Sequence, residues 1–245
     1  MIDKPPHLLI VDDEVDACRN LSDILTDLGY EVDVAYDGPS ALELVGRRTY
    51  DVALLDLKMP GMDGVELFKR MKAVSAGTVA IVVTAFAGSK IAQAALDAGA
   101  AEIIAKPVDL QRLIHSVEEA VDQPQILVVD DDSDLCETLW EIFRDKKYRV
   151  AIAHDIPDAE AKLSQSDYQI VVIDMKLPSG SGADLFRLVR KNYAHARTIL
   201  VTGCRTETEN RLAEVVSEGA DAVAYKPFDM DMLLSTLSRL TKKPG

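Results

Sequence analysis

Residues 126–139 read ILVVDDDSDLCETL, and residues 8–21 read LLIVDDEVDACRNL. In each stretch an apolar run with the look of a buried strand ends in adjacent acids: Asp130, Asp131 and Asp132 in one, Asp12, Asp13 and Glu14 in the other. Carboxylates this close repel, and one taken out of water without a partner is costly. The cluster therefore calls for a counter-charge. The two stretches are also one phrase written twice. Displaced by 118 positions, residues 8–60 meet 126–178 without a gap and agree at 19 of 53 positions. So high an agreement over a gapless run marks a duplicated domain. Asp56 falls on Asp174, Lys58 on Lys176 and, further along, Thr84 on Thr202. Two extra residues in the second copy then bring Lys106-Pro107 onto Lys226-Pro227. A period as long as a domain indicates tandem domains rather than a solenoid.

A chain of 245 residues has room for two domains, and at 48% hydrophobic it can bury two cores. The seam is VDQPQ, residues 121–125, where Pro124 cannot continue a preceding helix. We divide the chain into residues 1–122 and 123–245 and expect so short a linker to restrict the relative orientation of the halves. A net charge of −14 argues against nucleic acid or an anionic membrane as partner, since both demand a basic face. No apolar run approaches a membrane span, and no signal peptide is read at the start. Cys18, Cys136 and Cys204 have neither zinc spacing nor a disulfide framework, which points to a reduced, cytoplasmic protein.

Within each half, short Val- and Ile-rich runs alternate with amphipathic segments. The spacing predicts strands at Leu8–Val11, Val32–Ala35, Val52–Leu55, Val79–Val83 and Glu102–Ala105. It predicts their counterparts at Ile126–Val129, Val150–Ala153, Ile170–Ile173, Thr198–Val201 and Ala222–Tyr225. Pro39 and Pro157 suit first helical turns. Five β-α units per half make an α/β fold with a parallel sheet covered on both faces. In such sheets ligands bind beyond the carboxyl ends of the strands. Each polar residue of the repeat falls at such an end: Asp12-Asp13, Asp56, Thr84 and Lys106, then Asp130-Asp131, Asp174, Thr202 and Lys226.

Three carboxylates at one rim suit a hard divalent cation. Mg²⁺ takes oxygen ligands, typically one or two carboxylates plus waters and phosphate oxygens. A Lys and a Thr beside it suit a phosphoryl group, and Asp56 or Asp174 can then be the nucleophile that becomes an acyl phosphate. An Asp pair after a strand is, by itself, more often only a turn or helix cap; the full set, present twice, favours chemistry. Glu14 and Asp132 read as exposed acids at helix starts. Gly61 to Gly64 read as turn and helix-start residues, and there is no phosphate-binding glycine loop. His115 reads as a surface helix residue, so the donor histidine is expected on another protein.

The patterns VDDE…LLDLKMPGMDG…VVTA…AKP and VDDD…VIDMKLPSGSG…LVTG…YKP resemble the receiver domain of two-component response regulators, over essentially the whole chain and twice. The resemblance implies two flavodoxin-like (βα)5 domains of sheet order 2-1-3-4-5, with Asp56 and Asp174 as phosphoacceptors. It implies Mg²⁺ held by Asp13, Asp56, the main-chain carbonyl of Lys58 and, through water, Asp12, with Asp131, Asp174, Lys176 and Asp130 doing the same in the second half. Lys106 and Lys226 would pair with the phosphoryl group, Thr84 and Thr202 would close onto it, and both Lys-Pro bonds would be cis. The implied partners are a sensor histidine kinase or a His phosphotransfer protein, and a downstream protein; a homodimer is left open.

Ile103 and Val223 stand where the family often has a switching aromatic residue, so aromatic rotation is not the readout. Phe86 and Cys204, two residues past each Thr, differ in bulk and should set different dephosphorylation rates; Cys204 otherwise reads as a small buried filler. No DNA-binding output domain is read, and no enzymatic activity beyond self-catalysed phosphorylation and dephosphorylation is expected. The alternatives are the receiver portion of a hybrid kinase, a phosphate sink, a scaffold with vestigial sites, and an aspartyl-nucleophile phosphohydrolase. The last requires an acid two residues past the nucleophile, where this chain has Lys58 and Lys176.

Overall fold

A computed structural model describes residues 5–178, 180–203 and 217–242. The chain divides into two compact units, residues 1–123 and 124–245. In the first, β1 (His7–Val11), β2 (Glu31–Ala35), β3 (Val52–Leu55), β4 (Val79–Thr84) and β5 (Glu102–Ala105) form one sheet of order β2-β1-β3-β4-β5. Every pairing in it is parallel. The helices between them are α1 (Val15–Asp27), α2 (Gly38–Arg47), α3 (Gly64–Val74), α4 (Lys90–Ala98) and α5 (Leu110–Asp122).

Side chains alternate across a strand, and here both faces are apolar. Leu9 and Val11 pack with Val45 of α2, Phe68 and Met71 of α3 and Ala95 of α4. Leu8 and Ile10 pack on the other side with Cys18 and Leu25 of α1 and Leu113 and Val117 of α5. Three helices therefore cover one face and two the other. Helix starts follow the capping rules: the side chains of Asp37, Asp63, Ser89 and Asp109 each accept from an N–H of the first turn. Pro39 lies in the first turn of α2.

In the second unit β6 (Gln125–Val129), β7 (Arg149–Ala153), β8 (Ile170–Asp174), β11 (Arg197–Thr202) and β12 (Ala222–Tyr225) repeat the arrangement. The order β7-β6-β8-β11-β12 is the first sheet's order again, all parallel. Its helices are α6 (Ser133–Asp145), α7 (Ile156–Gln165), α8 (Gly182–Asn192) and α9 (Met230–Thr241). The helix expected between β11 and β12, and Cys204 with it, lies outside the described residues. One feature has no counterpart among the described residues of the first unit: β9 (Lys176–Leu177) and β10 (Gly180–Ser181) form a short antiparallel pair after β8. Both Lys106-Pro107 and Lys226-Pro227 are cis.

Candidate functional site

Because all five strands run the same way, their carboxyl ends share one edge. Asp12 follows β1, Asp56 follows β3, Thr84 ends β4 and Lys106 follows β5; in the second sheet Asp130 follows β6, Asp174 ends β8, Thr202 ends β11 and Lys226 follows β12. Carboxylate oxygens of Asp12, Asp13 and Asp56 lie within 4.8 Å of one another, and so do those of Asp130, Asp131 and Asp174. Among the described residues these are the two groups of three or more such side chains able to hold a metal. In each group two acids are buried and one, Asp13 or Asp131, is exposed.

The counter-charge that such a cluster demands is a lysine. Lys106 Nζ lies 2.6 Å from Asp12 Oδ2 and 3.3 Å from Asp56 Oδ2. Lys226 Nζ lies 2.7 Å from Asp130 Oδ2 and 2.5 Å from Asp174 Oδ2. Burial works against each ammonium, but the two acids outweigh it and raise both lysines above their ordinary range. Burial raises the carboxyl of Asp130 despite its contact with Lys226.

The backbone turns are held from within. Asp12 N–H donates to Ala35 O, and Glu14 N–H donates to Asp12 Oδ1 at 2.9 Å. Asp132 N–H donates to Asp130 Oδ1 in the same way. Glu14 occupies the N-cap of α1 without a side-chain cap bond, whereas the Asp132 carboxylate caps α6. Asp56 Oδ1 accepts from Leu57 N–H at 2.6 Å and from Lys58 N–H at 3.4 Å, and Asp174 Oδ1 accepts from Lys176 N–H. These contacts aim each phosphoacceptor candidate's second oxygen at the lysine.

Thr84 and Thr202 are buried at the ends of β4 and β11. Their carbonyls accept from Lys106 N–H and Lys226 N–H, which ties the Thr and Lys of each site together. The Lys58 side chain is not merely solvated: its Nζ sits 3.7 Å from the centroid of the Phe86 ring. Sequence reasoning also missed Cys18 and Cys136 as neighbours of the site. Each thiol donates to the carbonyl of the first acid, Asp12 O or Asp130 O, at 3.3 Å. Burial and the nearby carboxylates push them up to about 11 and about 12, so both stay protonated at neutral pH.

The donor set fits Mg²⁺: hard carboxylate oxygens, two or three per site, with an exposed member open to water. The response regulator receiver domain family matches residues 8–118 and again 126–238. The chain belongs to the response regulator receiver family. It is 31% identical over 237 residues to a response regulator receiver protein of Anaeromyxobacter sp., covering 97% of this chain and 96% of that one. The transcriptional regulatory protein ZraR of Salmonella typhimurium is 38% identical over 114 residues, 46% of this chain; the chain spans only 26% of ZraR. Among solved structures, the response regulator protein TrrA of Thermotoga maritima, in complex with Mg²⁺ and BeF, is 29% identical. It covers 47% of this chain and 98% of its own, with a TM-score of 0.44. Both receiver domains are thus signal-transduction modules of two-component systems. No described helix is long and apolar enough to cross a membrane.

Proposed function

We propose that the two receiver domains accept phosphoryl groups on Asp56 and Asp174 from a phospho-histidine donor, a sensor histidine kinase or a His phosphotransfer protein. The observation that carries this reading is the lysine bridging two buried acids at each sheet edge, 2.6 and 3.3 Å away in the first domain. A carboxylate oxygen attacks phosphorus, the donor's P–N bond breaks, and the electron pair leaves with the imidazole. Lys106 or Lys226 then exchanges a carboxylate contact for one with the new phosphoryl oxygens. Thr84 or Thr202, tied to that lysine through its carbonyl, closes with it. Mg²⁺ held by Asp12, Asp13, Asp56 and the Lys58 carbonyl, or by Asp130, Asp131, Asp174 and the Lys176 carbonyl, would neutralise charge on the transferring group.

Phosphorylation adds about −1.5 to −2 charges at the edge and shifts a pre-existing equilibrium of the neighbouring loops. The output is a contact with a downstream protein or onward phosphotransfer, and the chain is not a turnover enzyme. Lys58 supports that last point: where a phosphohydrolase needs a second acid, an ammonium lies on the Phe86 ring.

The test is intact-mass spectrometry after incubation with Mg²⁺ and acetyl phosphate. Wild type should gain two phosphoryl groups, and Asp56→Asn and Asp174→Asn should each gain one. A single phosphoryl group abolished by one variant would make the other domain a regulatory surface. None at all, with Mg²⁺ bound, would leave an interaction scaffold.

A further inference from the structure

The carbonyl of the first acid has a partner at the same place in both domains. Six residues on, the first turn of α1 brings Cys18 back to Asp12 O, and α6 brings Cys136 back to Asp130 O, each 1% exposed and 3.3 Å away. The other polar groups of Asp12 are already taken: its N–H by Ala35 O, Oδ1 by Glu14 N–H, Oδ2 by Lys106. The thiol therefore holds the one remaining backbone group that sets how the acidic pair leaves the strand. The two carbonyls differ in one respect. Asp130 O also faces His154 Nδ1 at 3.1 Å, a nitrogen that must carry a proton to bond a carbonyl. The corresponding residue of the first domain is Tyr36, half-exposed at the end of β2.

We propose that Cys18 and Cys136 are positioning residues for the cation-binding acids, each fixing through its S–H the carbonyl of the first acid, and that His154 shares this task in the second domain only. The inference rests on the metal-binding part of the reading above. It assigns the thiols a role in orientation, with no covalent or redox chemistry. Groups that orient metal ligands from behind commonly cost tenfold or more in affinity when removed.

The experiment is calorimetric titration of the full chain with Mg²⁺, with the unaltered domain silenced. Asp131→Asn isolates the first site and Asp13→Asn the second. Cys18→Ala should weaken Mg²⁺ binding about tenfold, the low end of such losses. Cys18→Ser, which keeps a donor, should stay within about threefold of wild type. Cys136→Ala should weaken its site less than Cys18→Ala weakens the first, and Cys136→Ala with His154→Ala should bring the loss level. Equal affinity losses for Ala and Ser, or an unchanged affinity with only a lowered melting temperature, would make the cysteines core fillers and overturn the proposal. Wild type binding Mg²⁺ but taking no phosphoryl group would sink the phosphoacceptor reading alone, since the titrations still decide the thiols. No Mg²⁺ binding by wild type would overturn both.

Discussion

Tyr50 shows what one hydroxyl can do at the sheet. The ring is buried after α2, and its hydroxyl donates to Asp33 Oδ2 at 2.6 Å, with Arg48 bonded to the same oxygen at 3.0 Å. Burial first, then the Asp33 bond and charge, push the phenol well above its ordinary range. A folded-state value raised above the unfolded one contributes stability fully present below the unfolded pKa, about 10, and lost as pH climbs past it. Tyr50→Phe should therefore cost about 1 kcal/mol at neutral pH, a low figure for a bond to a charged group because Asp33 is half-exposed. It should also flatten the alkaline fall in stability, both read by urea melts across pH. Tyr168→Phe should cost less, because Ala151 stands where Asp33 does. At this scale the candidate site was legible because each acid, Thr and Lys is a polar residue where an apolar strand ends, and the structure brings each set to one edge. Cys18 was not: a small, poorly polar side chain reads as filler, and its contact with Asp12 O exists only once α1 has formed.

At the scale of elements, the strand predictions fell within a residue of the observed ends, because runs of four to six apolar residues bounded by Asp, Gly or Pro leave little choice. The β9–β10 pair could not be anticipated, since two-residue strands carry no periodicity. Gly64 was read as helix-start chemistry, and it is the first residue of α3 behind the Asp63 cap. Its larger role is a close approach. A methyl group there would overlap the Asp56 carbonyl and crowd Leu57 Cα, and Gly182 stands in the same relation to Asp174 and Met175. The obstacle is backbone, so α3 must move if a side chain is added. Gly64→Ala is expected to cost about 1–3 kcal/mol, the usual range for overpacking, and Gly182→Ala the same. Phosphorylation of the affected domain should slow with it, since α3 packs on, and donates a hydrogen bond to, the backbone beside the proposed phosphoacceptor. Urea unfolding and the initial rate of mass gain measure the two effects; full stability in Gly64→Ala would show that α3 has slack against β3.

At the scale of the whole chain, duplication was the most legible feature, because 19 identities fall in one gapless run of 53 positions and include the acids of both candidate sites. The copies have drifted around that chemistry: Phe86 stacks on Lys58 in one, and His154 backs Asp130 in the other. A ligand that binds only the folded state stabilises it by about 2.7 kcal/mol at one hundred times its dissociation constant. Each domain has its own acidic trio and its own compact unit, so saturating Mg²⁺ should raise the melting of both. At low salt the attraction between each trio and the cation is less screened, so the dissociation constant should fall and a given Mg²⁺ concentration should stabilise more. Asp13→Asn should remove the Mg²⁺ response of the first unit and Asp131→Asn that of the second, each leaving the other's intact. Calorimetric scans with and without Mg²⁺ read the two responses separately. If either single substitution abolished both responses, the domains would bind the cation as one thermodynamic unit, and the independence of the two sites would be wrong.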